Sequence, residues 1–172
     1  DEVGDLPGAL DIQHVRGDVD FDHVTFGYDA TTPVLRDVTL HVRAGETIAI
    51  VGPSGSGKTS LMLLLQRMFP IQAGRVLVDG HDVRSLTQRS LRASIGIVYQ
   101  DVELLADSIR GNIAYARMTA SDEEVEAAAR AAAAHEFIEE MPEGYDATVG
   151  EKGSRLSGGQ RQRIGIARAL LK

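Results

Sequence analysis

An α/β fold is predicted by three observations. Residues 47–51 (Thr-Ile-Ala-Ile-Val) and 95–99 (Ile-Gly-Ile-Val-Tyr) are short apolar runs, the pattern of strands covered on both faces, as in a parallel sheet. Residues 18–28 alternate, with Val19, Phe21, Val24 and Phe26 apolar among Asp and Thr, and one break in the period. Residues 61–68 carry no helix breaker and read as helix, and so does the stretch that begins near Ser157 with capping-box spacing to Gln160. In chain order, residues 1–16 are acidic, contain Pro7 and two Gly, and show no period, so they read as a linker. Residues 28–33 are a turn and 34–42 a second strand candidate. Ala44-Gly45 turns the chain into the run 47–51. The helix after Thr59 ends at Phe69-Pro70. Residues 75–83 read as a hairpin about Asp79-Gly80, a favoured two-residue turn. A short helix is expected over 85–93 and mostly helix over 107–141, where Ser121 and Glu124 have capping-box spacing. Pro142 and Gly144 end that region. Ser157 and Gln160 repeat the capping-box spacing at the start of the last helix, which runs through Arg163, Ile166 and Leu170.

Composition narrows the function. Lys plus Arg number 18 and Asp plus Glu 25, a net charge of -7, which argues against non-specific nucleic-acid binding. With no Cys, a disulfide scaffold, a thiolate metal site and a Cys nucleophile are excluded. The longest apolar stretches, such as 61–65, are far too short to span a bilayer. Asp1, Glu2 and Val3 do not open a signal peptide. His14, His23, His41, His81 and His135 are scattered without a metal-ligand spacing. The acids Asp122, Glu123 and Glu124 fall in the first turn of a helix, where they complement its dipole.

Gly52-Pro53-Ser54-Gly55-Ser56-Gly57-Lys58-Thr59 matches the phosphate-loop pattern. Glycines let successive backbone N–H groups turn toward a phosphate, where a Cβ would clash. The loop opens a helix, whose N-terminal dipole favours an anion. Lys58 reaches the outer phosphates, and the Thr59 hydroxyl can hold the accompanying magnesium. The only Asn is Asn112, so the guanine-reading Asn-Lys-x-Asp motif is absent. Leu156-Ser157-Gly158-Gly159-Gln160 marks a second helix start with small residues, either an ordinary capped helix or a second phosphate site.

That second string resembles the signature motif of the ATP-binding cassette (ABC) family, and the resemblance covers residues 17–172. Val24-Thr25-Phe26-Gly27-Tyr28 resembles the A-loop, which implies that Tyr28 stacks on adenine. Ile97-Val98-Tyr99-Gln100-Asp101 resembles the Q-loop, which implies that Gln100 contacts magnesium and the attacking water. Thr148-Val149-Gly150-Glu151-Lys152-Gly153 resembles the X-loop of exporters, and Ser108-Ile109-Arg110-Gly111-Asn112-Ile113 the start of their helical subdomain. The fold so implied is a RecA-like phosphate-loop core, incomplete, with an antiparallel β subdomain and an inserted helical subdomain over about 102–153. The implied cofactors are ATP and magnesium. ATP would lie on residues 52–60 (Gly52 to Ser60), Tyr28 and Gln100. Ser157, Gly158, Gly159 and Gln160 would meet it in trans, from a second nucleotide-binding domain. The implied metal contacts are Thr59 and Gln100.

The resemblance also implies a membrane domain fused upstream, with residues 1–16 as its tether, and a place on the cytoplasmic face of the cell membrane. The family continues into a Walker B Asp, a catalytic Glu and a switch His, which have no counterpart in these 172 residues. The expectation is therefore a cassette cut before Walker B, inactive as an ATPase by itself. Two alternatives stay open: a non-catalytic nucleotide-binding module or truncated gene product, and a soluble ABC ATPase acting on DNA or ribosomes.

Overall fold

The computed structural model describes residues 4–29 and 31–172, so three residues of the expected linker and Ala30 of the expected turn lie outside the described residues. The chain divides into two compact units, Asp1–Ile95 and Gly96–Lys172.

The first unit is built on an antiparallel sheet of order β2-β1-β3-β4, with β1 Val19–Phe26, β2 Leu35–Val42, β3 Ala73–Val78 and β4 His81–Asp82. Helix α1 (Lys58–Leu65) lies between β2 and β3 in sequence, and α2 (Gln88–Ala93) follows β4. The broken period of β1 has a structural cause. The ladder shifts register between Phe21 and Val24, and His23 adopts φ 50°. This β-bulge returns Val24 and Phe26 to the face that Phe21 occupies. All three are buried, together with Leu35, Val76, Val78 and, from α1, Leu61 and Leu64. Full burial of each such side chain is worth about 1.5–3 kcal/mol, which sets α1 firmly on the sheet. The β3–β4 turn is the expected one. Asp79 and Gly80 have φ 49° and 80°, as a type I′ turn requires.

Residues 4–16 form no regular element, but they are strapped to this unit. Leu10 makes an isolated parallel bridge to Leu86, and its N–H donates to Ser85 O at 2.8 Å. The Arg67 guanidinium, 3% exposed, donates to Gly4 O at 2.8 Å and pairs with Asp5 at 3.2 Å. The Asp79 carboxylate accepts from the N–H groups of Arg16, Gly17 and Asp18. Burial works to raise its pKa, yet these bonds hold it below the usual carboxylate value.

The second unit is helical: α3 Ile109–Ala114, α4 Asp122–Ala131, α5 His135–Glu139 and α6 Gly158–Leu171. Its core joins Ile109, Ile113, Val125, Ala129, Ile138, Val149, Ile164 and Ala167. Alanines on the buried face of α4 (Ala128, Ala129) let α6 approach it closely. Ser121 and Glu124 form the expected capping box at the start of α4.

The runs 47–51 and 95–99 do not form the buried parallel strands expected. Among the described residues neither pairs with a strand. Ile48, Ile50, Val51, Val98 and Tyr99 are exposed. A strand in the middle of a sheet needs a neighbour for its N–H and C=O groups. No described residue supplies one here, so apolar character alone does not make either run a strand. The α/β class stands on the antiparallel sheet and the helices.

Candidate functional site

The residues singled out in the sequence fall on both units. In the first, Gly57 precedes α1 with φ 90°, and a Cβ there would stand 2.6 Å from Leu35 Cδ2 and 3.2 Å from Val34 Cγ1. Glycine is thus required twice, for its left-handed backbone and for the close approach to β2. No side chain caps α1. Its first N–H groups, which lack intrahelical acceptors, carry the positive end of the helix dipole. Lys58 folds back over the loop, donating from Nζ to Gly52 O and Pro53 O at 2.8 Å each and to Ser56 Oγ at 3.3 Å. Pro53, Ser54, Gly55, Ser56 and Thr59 are exposed. The loop therefore gathers one ammonium, uncapped amides and a free-standing hydroxyl, with no carboxylate in residues 52–60 to repel an anion. That donor set fits a nucleotide triphosphate with magnesium. Lys58 and the amides would hold phosphate oxygens and Thr59 the metal, which when bound neutralises phosphate charge.

Tyr28 is 56% exposed, yet its ring is held in place. Phe26 and Phe69 meet it edge-on, with centroids 5.0 and 5.2 Å away, and its hydroxyl lies 3.0 Å from Ser60 Oγ. A half-exposed aromatic ring with fixed orientation can stack on a base. Ser60, by contrast, is buried, and its hydroxyl is engaged with Tyr28. Its place in the site is to tie the platform to the phosphate-loop helix. The sequence gives no sign of this pair, because the two residues are thirty-two positions apart.

In the second unit Ser157 caps α6. Its hydroxyl accepts from Gln160 N–H at 3.2 Å while Gln160 Oε1 accepts from Ser157 N–H at 2.9 Å. Ser157, Gly158 and Gly159 are exposed. Gln100 is exposed as well and shares a cleft of about 410 Å³ with Asp101, Gly158, Arg161 and Gln162. Arg161 was not singled out in the sequence. Its Nη1 donates to Leu156 O at 2.7 Å, just ahead of the cap. The turn before it is tightly wound, with Gly150, Lys152 and Gly153 all at positive φ. A Cβ on Gly153 would stand 2.8 Å from Arg161 Cδ, so helix and turn are fitted to each other.

Comparison with known proteins agrees with these motifs. The family model for ABC transporters matches residues 35–172. The beta-(1→2)glucan export ATP-binding/permease protein of Agrobacterium vitis is 53% identical over 165 residues, which are 96% of this chain and 28% of that protein. The ATP-dependent lipid A-core flippase of Syntrophus aciditrophicus is 48% identical over 171 residues, 99% of this chain and 28% of that protein. A solved structure of a bacterial ABC exporter with ATP bound superposes with a TM-score of 0.92 at 49% identity, covering 99% of this chain and 30% of its own. The chain thus spans less than a third of the length of these relatives. With the phosphate loop and the capped signature string both in place, the chain belongs to the ABC transporter family, and the relatives it matches are exporters.

Proposed function

We propose that this chain is the ATP-driven part of an exporter, working on the cytoplasmic face of a membrane. Residues 1–16 would be the tether from a membrane domain in the same polypeptide, and 17–172 part of the nucleotide-binding domain, with its helical subdomain over about 102–153. No helix among the described residues is long and apolar enough to cross a membrane, so the transport path would belong to that other domain. The observation that carries the reading is the uncapped start of α1 with the Lys58 ammonium lying on the loop carbonyls. A charge-assisted bond to phosphate is stronger than one to a neutral carbonyl, so an arriving triphosphate would draw Lys58 off the loop. Adenine would stack on Tyr28, and Thr59 with Gln100 would hold magnesium.

The signature glycines support a second copy, or a related domain, facing the nucleotide. Gly158 and Gly159 have no positive φ. A Cβ on Gly159 would meet nothing within 4 Å, and one on Gly158 only the Arg161 guanidinium at 3.9 Å. Glycine has a lower helix propensity than alanine, and no contact among the described residues requires it at these positions. The close approach of a ligand on a partner domain would account for it, which supports the in-trans role of Ser157 through Gln160.

Export coupled to hydrolysis also needs a general base, which typically contributes 10²–10⁴-fold. Asp122, Glu123 and Glu124 are taken up in the first turn of α4. With no counterpart of the family's catalytic Glu among them, residues 1–172 by themselves are expected to bind ATP without turning it over. The test is titration calorimetry with Lys58→Ala. It should weaken ATP binding by more than about 1.5 kcal/mol, because it removes a charged donor. Unchanged affinity in a folded variant overturns the site, and Lys58-dependent hydrolysis by residues 1–172 alone overturns the assignment of the base elsewhere.

A further inference from the structure

Asn112 is completely buried, and every polar atom of its side chain is used. Its Oδ1 accepts from Leu105 N–H at 2.9 Å, and its Nδ2 donates to Leu105 O and Ser108 O at 3.0 Å each. Arg168, near the far end of α6, closes the network. Nη2 donates to Asn112 Oδ1 and Nε to Asn112 O, both at 2.9 Å, and Nη1 donates to Glu103 O at 3.2 Å. The segment just after Gln100 is thus bonded to α6 through two side chains. The same helix meets the chain on both sides of Gln100 without hydrogen bonds. A Cβ on Gly165 would stand 2.9 Å from Val102 Cγ1, and one on Gly96 would stand 2.9 Å from Ala169 O. Residues 96–105 are therefore pinned at three places, to positions 165, 168 and 169, along one face of α6. The N-terminal end of that helix carries Ser157 and Gly158, roughly 10 Å from Gly165 at the α-helical rise.

We propose that Asn112 and Arg168 are positioning residues: a latch of one buried and one half-buried side chain that makes the Gln100 loop and the signature helix move as one body, so that the two are set together when nucleotide is engaged. The inference rests on the exporter reading above for its catalytic consequence, but the latch itself does not. Neither residue belongs to the nucleotide-binding groups, so loosening the latch alters turnover and leaves ATP binding alone. Lysine cannot replace the arginine, because one ammonium on a flexible stem cannot span three fixed acceptors.

The test uses the full gene product containing these residues, purified in lipid. Arg168→Lys should lower kcat by about tenfold or more with the KM for ATP unchanged within about twofold, the pattern of an interaction that matters only after binding. Gly165→Ala should do the same by wedging Val102 outward, and Val102→Ala in that background should restore kcat. Amide exchange at residues 101–108 gives a readout independent of activity. Protection of Leu105 should fall about tenfold or more in Arg168→Lys. Wild-type-like kcat, a parallel loss of ATP affinity, failure of the Val102→Ala rescue, or unchanged exchange in a folded Arg168→Lys protein each overturns the proposal. If the wild-type protein hydrolyses no ATP, the exporter reading fails instead, and exchange alone decides the latch.

Discussion

Helices α1 and α6 both start behind small residues, and their ends are finished in opposite ways. At α1 the glycine before the helix is left-handed, is wedged against Leu35, and no side chain caps the amides. At α6 the residue before the helix is Ser157 in an extended conformation, and a complete capping box takes up the N–H groups of Ser157 and Gln160, while those of Gly158 and Gly159 lack an intrahelical acceptor. The glycines follow the same division. Gly57 is required by this chain's own packing, whereas a Cβ would meet only the Arg161 guanidinium at 3.9 Å on Gly158 and nothing within 4 Å on Gly159. An unsatisfied helix start with a lysine folded over it is a receptacle. A side-chain-capped one that exposes Gly158 and Gly159 suits the proposed approach of a second domain. The proposed function gives the two motifs different roles, and substitution should separate them.

The largest expected contrast is between the glycines. Gly57→Ala forces a side chain into left-handed backbone and a 2.6 Å approach to Leu35. It should cost about 3 kcal/mol of stability from strain and overpacking together. Gly158→Asp has room, so its melting temperature should stay near wild type and ATP should still bind. The added bulk and negative charge should stop ATP-dependent dimerisation, measured by light scattering. Dimerisation that survives Gly158→Asp would break the contrast, and so would a Gly57→Ala protein as stable as wild type.

A middle-sized effect should sharpen the picture of the receptacle. Tyr28→Ala should weaken ATP binding by about 1–3 kcal/mol through lost stacking. Ser60→Ala keeps the ring but frees its hydroxyl, and should cost about 1 kcal/mol or less, the net worth of an ordinary hydrogen bond. The ordering is the test. If Ser60→Ala weakens binding more than Tyr28→Ala in calorimetry, the buried serine touches nucleotide directly and the platform account fails.

What the sequence disclosed, and what it hid, follows from the range of each interaction. Capping boxes at Ser121 and Ser157 were legible because partners three positions apart are fixed by helix geometry. The Asp79-Gly80 turn was legible for the same reason. The break in the β1 pattern was visible as an irregularity, but only the register shift and the φ of His23 show it to be a bulge. The runs 47–51 and 95–99 misled, because apolar composition reports what a segment could bury and says nothing of whether a neighbour is present. The Tyr28–Ser60 and Asn112–Arg168 pairs were invisible. Each joins residues more than thirty positions apart, and a polar residue in isolation gives no sign of being buried. Even residues 4–16, irregular and acidic, proved to be docked, through partners as distant as Ser90.

The smallest expected effect concerns the antiparallel sheet, and it distinguishes the two units by pH. In the second unit the one histidine, His135, bonds the Tyr145 hydroxyl from its Nδ1 at 2.8 Å, with no carboxylate as its partner. In the first, the bulge at His23 is held by a bond of 2.7 Å from Nδ1 to Asp37, itself at φ 51°. That bond first, then the charges of Asp37 and Asp22, raises the pKa of His23 above its ordinary value of 6.5. A histidine whose pKa is raised on folding favours the folded state most when both states are protonated, below the unfolded value. The contribution fades as pH rises through the folded value. The pair is solvent-exposed, so salt screens it and the effect is small. Melting of the first unit should therefore fall slightly from pH 6 to pH 8.5 at low ionic strength, and the slope should flatten both in about 0.5 M salt and in His23→Asn. Asparagine suits the left-handed backbone at this position, so that variant removes the charge without straining the bulge. An identical pH slope in His23→Asn would place the titration elsewhere and leave the bulge held by backbone geometry alone.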